Sequence, residues 1–292
     1  MNFEIELKEK IDIVNNKLEK YINNGYPNII YNSMRYSVFA GGKRLRPVMM
    51  LSACELFNYD KEAVLPFACA LEMIHTYSLI HDDLPAMDND DFRRGKLTSH
   101  KKFGEDIAIL TGDALLHYAM EIMANECVNN CNIKTVKAMQ AIAYGAGING
   151  MLSGQVVDVI SEGKKITASE LEFIHKNKTA AMIIAALKSG AILGGADEYK
   201  IKEIEEVGEK IGVAFQIQDD VLDVIGEKEI LGKPIGSDEK NQKVTYVTMY
   251  GIEESKKFVE KLSNEAVEIL EGISEKSEFL IELTKYLIKR KN

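Results

Sequence analysis

Residues 72–94 read Glu-Met-Ile-His-Thr-Tyr-Ser-Leu-Ile-His-Asp-Asp-Leu-Pro-Ala-Met-Asp-Asn-Asp-Asp-Phe-Arg-Arg. An apolar run carries two carboxylates, Asp82 and Asp83, at its end. Pro85 follows, then Asp88, then the adjacent pair Arg93 and Arg94. Carboxylates deep in an apolar helix are costly unless a cation or a donor meets them, and a hard divalent cation suits oxygen ligands. Six positions of straight α-helix would set Asp88 about 120° round from Asp82. Pro85 disfavours helix at Leu84 and at itself, so the helix should end near Asp83 and the loop can swing Asp88 back.

The chain has 292 residues, 46% of them hydrophobic, enough for a sizeable core. A net charge of −9 argues against nucleic acid, whose partners are basic. No run reads as an integral membrane span, and the polar, acidic start Met1-Asn2-Phe3-Glu4 carries no export signal. Cys54, Cys69, Cys127 and Cys131 lie in apolar helical stretches without zinc-site spacing, so they read as reduced core thiols of a cytoplasmic protein.

Proline is absent between residues 86 and 233, and apolar residues recur at i, i+3, i+4. This is the pattern of an all-α chain, read as a single domain over residues 1–292. Helices are expected over 3–22, from Pro27 to Gly41-Gly42, over 48–56, over 63–83, and from Glu105 through Gly112 to Leu116. One more is expected from about Lys134 to Val159, with residues 84–104 a loop. Thr167 and Glu170 make a capping box for the next helix. Lys178-Thr179 sits oddly in its apolar run unless the helix kinks there or the lysine meets an anion. A long helix over 198–224 carries Gln216, Asp219, Asp220 and Asp223 among apolar neighbours, and Asp219 and Asp223 share a face. A loop with Gly232-Lys233-Pro234 and then Lys243 follow, before two final helices.

Lys43 and Arg46 stand at a helix start beside the Gly41-Gly42 pair, and His75 lies two turns before Asp82 on nearly the same face. Two acidic clusters on separate buried helices, with scattered cations, describe a cation-bridged diphosphate site.

From end to end the chain resembles the trans-isoprenyl diphosphate synthases. Six blocks match in order: Gly41 to Pro47, Asp82 to Arg94, Gly112 to Leu116, Gly154-Gln155, Lys178-Thr179, and Gln216 to Asp223 followed by Gly232-Lys233. The resemblance implies a bundle of roughly ten antiparallel helices around a central cavity, and a homodimer. It implies that Asp82, Asp83, Asp88, Asp219, Asp220 and Asp223 bind about three Mg²⁺, or Mn²⁺ in substitution, on the diphosphate of an allylic substrate. It assigns Lys43, Arg46, His75 and Arg94 to isopentenyl diphosphate, and adds Gly42, Arg93 and Lys243 to the substrate-binding set. Lys178, Thr179, Gln216 and Lys233 would act at the ionising allylic centre. Tyr77, with small Ser78 beside it, would floor the cavity and stop growth at farnesyl diphosphate, with geranylgeranyl diphosphate the alternative. Leu97, Ser99 and Val247 depart from the usual pattern, as does the tail Ile288-Lys289-Arg290-Lys291-Asn292. The intact Asp219-Asp220-Val221-Leu222-Asp223 argues against a terpene cyclase, and the six aspartates argue against a regulatory subunit of the same fold.

Overall fold

The 3.6-residue apolar period produces helices throughout. In the computed structural model, which describes residues 2–57, 60–225 and 243–289, they are α1 (Phe3–Tyr21), α2 (Asn28–Val38), α3 (Leu45–Glu55) and α4 (Lys61–Asp82). After a loop come α5 (Ser99–Phe103), α6 (Glu105–Asn129), α7 (Ile133–Ala146), α8 (Met151–Ser161) and α9 (Ala168–Ile174). A π-helical turn, His175–Ala180, leads into α10 (Ala181–Gly194); α11 (Glu198–Ile225), α12 (Tyr246–Tyr250), α13 (Ile252–Ile273) and α14 (Glu278–Lys289) complete the chain. Gly232, Lys233 and residues 290–292 lie outside the described residues.

Helix ends follow local chemistry. Asp60 accepts from the Glu62 and Ala63 amides at the start of α4, Asn132 does the same for α7, and Thr167 with Glu170 closes the expected capping box at α9. The all-α reading holds, with one exception in the stretch read as a loop. There Phe92–Arg93 (β1) pairs antiparallel with Lys96–Leu97 (β2), and α5 follows. The helix expected over 134–159 is two helices. Gly145, Gly147 and Gly150 weaken it at one point, and the chain turns so tightly that a Cβ on Gly150 would fall 2.1 Å from the Gly145 carbonyl oxygen. Cys54 and Cys69 are buried, but Cys131 is exposed in the turn between α6 and α7 and is no core thiol.

The buried cluster runs from Val14 in α1 to Leu287 in α14, with α4 and α10 at its heart. Two helices, α4 and α6, are long and apolar enough to cross a bilayer by length and composition, which the sequence reading did not expect. In α4, 72% of that apolar window is buried inside the bundle, as a core helix requires.

One ion pair inside this core was not anticipated. Arg44, with φ of 50°, precedes α3 and turns its guanidinium inward. It donates to Glu72 at 2.7 Å, to Asn15 Oδ1 at 2.9 Å and to the Val38 carbonyl at 2.5 Å. Both charged side chains are only 3% exposed. Arg44 thus ties α1, α2 and α4 to the start of α3 and sets the turn that presents Lys43 and Arg46. Glu72→Ala would strand a buried guanidinium, and removing one partner of such a pair costs about 3–5 kcal/mol. A large fall in the midpoint of urea unfolding is expected. A change below about 1 kcal/mol, the range of an exposed pair, would show the pair to be solvent-screened.

Candidate active site

The first acidic cluster sits where α4 stops. The backbone N–H of Asp88 donates to the Asp82 carbonyl at 2.9 Å, and the Leu84 carbonyl accepts from Met87 and Asn89 at 2.9 and 3.1 Å. Asn89 takes a left-handed φ of 51°. The loop therefore doubles back and returns Asp88 to the end of α4. Burial pushes the Asp82 carboxyl up to about 6, with the Asp88 and Asp83 charges adding to the rise and Lys178 and Arg93 opposing it. Asp83 has another surrounding. It is 3% exposed, and Nε of Arg93 donates to its two oxygens at 2.7 and 2.9 Å. Asp83, expected to hold metal, accepts from Arg93 here.

The basic wall faces this cluster from the α2–α3 turn. Arg94 donates to the Gly41 carbonyl, and a Cβ on Gly42 would lie 2.5 Å from its guanidinium nitrogen. The glycine pair thus admits Arg94. Arg46 NH1 is 3.4 Å from His75 Nε2, while the Arg46 Nε is buried with no hydrogen-bond partner among the described residues. Burial, and next the Arg46 charge, hold the His75 imidazole well below its usual range, so it is neutral. Burial lowers Arg46 as well, partly offset by the Glu72 and Asp219 charges. Half-buried Lys43 lies in the same turn.

The π-helical turn explains the odd lysine. Gly154 on α8 packs so closely that a Cβ there would lie 2.1 Å from the Lys178 amide nitrogen. The wide turn then aims Lys178 at Asp158, Nζ to Oδ2 2.6 Å. Lys243 reaches the same carboxylate at 3.3 Å and Asp88 at 3.7 Å. Burial works to raise the Asp158 carboxyl, but the two lysines outweigh it and hold it below the usual range. Asp158 was missed in the sequence. Its signal was its place one turn beyond Gly154-Gln155, as the lone acid of the apolar helix α8.

The second cluster is organised by hydrogen bonds. Thr179 donates to Gln216 Oε1 at 2.6 Å, and Gln216 Nε2 donates to Asp220 Oδ1 at 3.1 Å. The Tyr246 amide donates to Asp220 Oδ2 at 3.0 Å, and His175 Nε2 stands 3.5 Å from it. His175 is 4% exposed and burial lowers its imidazole to about 4, so it is neutral. It too was missed. Asp220, expected as a ligand, is 3% exposed and accepts within this network, whereas Asp219 and Asp223 are half-buried on the open face of α11. A polar cavity of about 80 Å³ lies between Asp158, Lys178, Lys243, Gln216 and Asp220. A larger cavity, about 580 Å³, sits between α7, α10 and α11 and holds none of the expected site residues.

The six aspartates therefore divide. Asp83 and Asp220 are buried and bonded; Asp82 with Asp88, and Asp219 with Asp223, are half-buried pairs on α4 and its following loop and on α11. Among the described residues, no three carboxylates or imidazoles gather closely enough to hold one ion unaided. The donor chemistry nevertheless fits a hard cation: every donor is a carboxylate oxygen, and the Asp82 carboxyl stays raised although Lys178 and Arg93 oppose the rise. Lys233 lies outside the described residues. Tyr77 is half-buried, its ring edge-on to that of His81, and Ser78 turns its hydroxyl back to the His75 carbonyl at 2.9 Å.

Comparison with known proteins gives a consistent picture. The polyprenyl synthetase family model matches residues 27–280. A geranylgeranyl diphosphate synthase of Cyanophora paradoxa is 49% identical over 287 residues, covering 98% of this chain and 96% of that enzyme. A farnesyl diphosphate synthase of Geobacillus stearothermophilus is 46% identical over 250 residues, covering 84% of each. The solved apo structure of an FPP/GFPP synthase from Zymomonas mobilis superposes with a TM-score of 0.87 at 31% identity, covering 98% of this chain and 99% of that one.

Proposed function

The chain belongs to the polyprenyl synthetase family as a prenyltransferase, and on that premise we propose that it condenses isopentenyl diphosphate with dimethylallyl and then geranyl diphosphate. The product under this reading is (2E,6E)-farnesyl diphosphate. The observation that supports the diphosphate chemistry is the arrangement of Lys178 and Lys243 on Asp158, beside carboxylate pairs from α4 and α11.

Mg²⁺ held by Asp82, Asp88, Asp219 and Asp223, about three ions per site or Mn²⁺ in their place, would supply charge neutralisation at the leaving diphosphate. The chain's own residues do the rest. Lys178 and Lys243 turn from Asp158 to the phosphate oxygens, where their charge favours breaking of the allylic C–O bond. Lys233 joins them. The Thr179 hydroxyl fixes the Gln216 amide, and these dipoles face the cation left behind. Lys43, Arg46, Arg94 and neutral His75, beside the close-approaching Gly42, hold isopentenyl diphosphate with its double bond toward that carbon, while Arg93 adds its charge at the allylic diphosphate. A C–C bond forms, a proton is lost to the released diphosphate, and no side-chain base is required. Asp83 and Asp220 act as anchors, one for Arg93 and the other for Gln216.

Arg46→Ala is expected to raise KM for isopentenyl diphosphate about 10–100-fold, the worth of a charged hydrogen bond. KM for the allylic substrate should move far less. Equal shifts in the two would remove Arg46 from a separate isopentenyl pocket.

The fifteen-carbon product rests on Tyr77. A twenty-carbon product is the second reading, favoured by the activity named for the Cyanophora relative. Incubation with labelled isopentenyl diphosphate and each allylic diphosphate, then chromatography of the dephosphorylated products, separates the two.

The enzyme is further proposed to be a cytoplasmic, single-domain protein that works as a homodimer. On α8, Leu152, Val156 and Ile160 are 46%, 49% and 57% exposed and form one apolar stripe, and Ile109 and Leu110 are similarly bare on α6. Sedimentation at micromolar concentration should show a dimer; a monomer would leave these faces unexplained by self-association.

A further inference from the structure

The floor residue proposed above does not stand alone. The Tyr77 ring meets His81, one helical turn on, in an edge-to-face contact with centroids 5.7 Å apart and planes at 77°. His81 in turn reaches across to α6. Its Nε2 lies 3.2 Å from the Ile109 carbonyl oxygen. The imidazole enters a notch that exists because residue 112 is glycine. A Cβ at that position would sit 2.1 Å from Nε2, 2.5 Å from Cδ2 and 2.9 Å from Cε1. No side chain, however small, fits there with the ring in place. Gly112 lies inside a helix at 0% exposure of its neighbour Leu115, where alanine would ordinarily be preferred on propensity.

These three residues form one mechanical chain from α6 to the Tyr77 ring on α4. We propose that His81, seated in the Gly112 notch, is a positioning residue for product length: it holds the Tyr77 ring across the path of the growing isoprenoid tail. This rests on the reading of Tyr77 as the floor. Ser78 contributes no competing bulk, since its hydroxyl is turned to the His75 carbonyl of its own helix. A tyrosine without its buttress has two χ angles to rotate, and a ring that swings aside opens the same space as a smaller side chain. Neither His81 nor Gly112 bonds to the carboxylate of Asp82, so the effect falls on chain length rather than on ionisation.

The test compares four proteins: the parent, Tyr77→Ala, His81→Ala and the double variant. Each is assayed for its C15 to C20 product ratio and for kcat and KM in the first condensation, with circular dichroism confirming the fold. His81→Ala should raise the C20 share severalfold with first-condensation kcat within a few-fold of the parent. In the Tyr77→Ala background the same change should add nothing, because no ring remains to position. Gly112→Ala, which evicts the imidazole, should shift length in the same direction if it folds; His81→Ala decides the question if it does not. An unchanged ratio in His81→Ala beside a lengthened product in Tyr77→Ala would overturn the buttress and leave the floor intact. A shift with His81→Ala that persists undiminished in the double variant would overturn it too, since His81 would then act without the ring. Unchanged products in both single variants would overturn the floor and the buttress together.

Discussion

Asp82→Asn is expected to cut turnover about 10²–10³-fold and, at pH 8, to make the metal-free protein more stable. The two effects have one cause. Burial raises the Asp82 carboxyl from 3.8 to about 6, and the neighbouring Asp88 charge adds to it. The sign follows from linkage. A carboxyl raised in the folded state binds its proton more tightly there than in the unfolded chain, so its charged form weakens the fold above pH 6. Below about pH 4 both states are protonated and the difference vanishes. A shift of about two units corresponds to ~3 kcal/mol by the usual conversion. Water reaching this half-buried group screens part of it, leaving about 1–2 kcal/mol. Asparagine keeps the shape and removes the charge, so unfolding at pH 8 should require more urea and at pH 4 should be nearly unchanged. In turnover the same charge is what a cation needs. Loss of one stabilising group at a developing anion costs about 10²–10³-fold, and Asp219→Ala on the opposing helix should cost as much. Near-parental rates for both variants at limiting Mg²⁺ would sink the two-cluster site; a variant equally destabilised at both pH values would show Asp82 to be charge-compensated.

This trade between function and stability also shows which parts of the molecule the sequence could reveal. The helices were legible because their signals are local: period, caps such as Thr167 with Glu170, and the conflict between Pro85 and a helix that had to return Asp88. The break at Gly147–Gly150 was not, because the glycines could equally have served close helix packing, and only the contact of Gly150 with the Gly145 carbonyl decides. Partners far apart in the chain were invisible. Asp158 meets Lys178 and Lys243 across 20 and 85 positions, and Arg44 meets Glu72 across 28. Nothing in the type of an aspartate says whether it will hold a metal or an arginine. Asp82 and Asp83 are neighbours, yet one helical step of about 100° leaves Asp82 half-buried and puts Asp83 against the Arg93 guanidinium.

Tyr77→Ala is expected to move the product from fifteen carbons to twenty or more. Tyr77 lies five residues before Asp82 on α4, about 7.5 Å along the helix axis. A tail whose diphosphate is anchored at Asp82 must pass that depth as it grows. Each condensation adds one five-carbon unit, so on the proposed reading a ring held there would halt growth sharply. Burial, followed by the Asp82 charge, raises the Tyr77 phenol, so it stays neutral at working pH and presents an uncharged wall to a hydrocarbon. Alanine would remove that wall and leave a void; a large-to-small change at a fully buried aromatic costs about 3–5 kcal/mol, and less at this half-buried one. The first condensation should be little affected, because the shorter tail does not reach the ring. The decisive measurement is therefore a product profile taken beside first-condensation kinetics. A folded Tyr77→Ala enzyme with normal kinetics and an unchanged fifteen-carbon profile would put the floor elsewhere. A parent enzyme that already makes twenty carbons would show that the tail passes the ring.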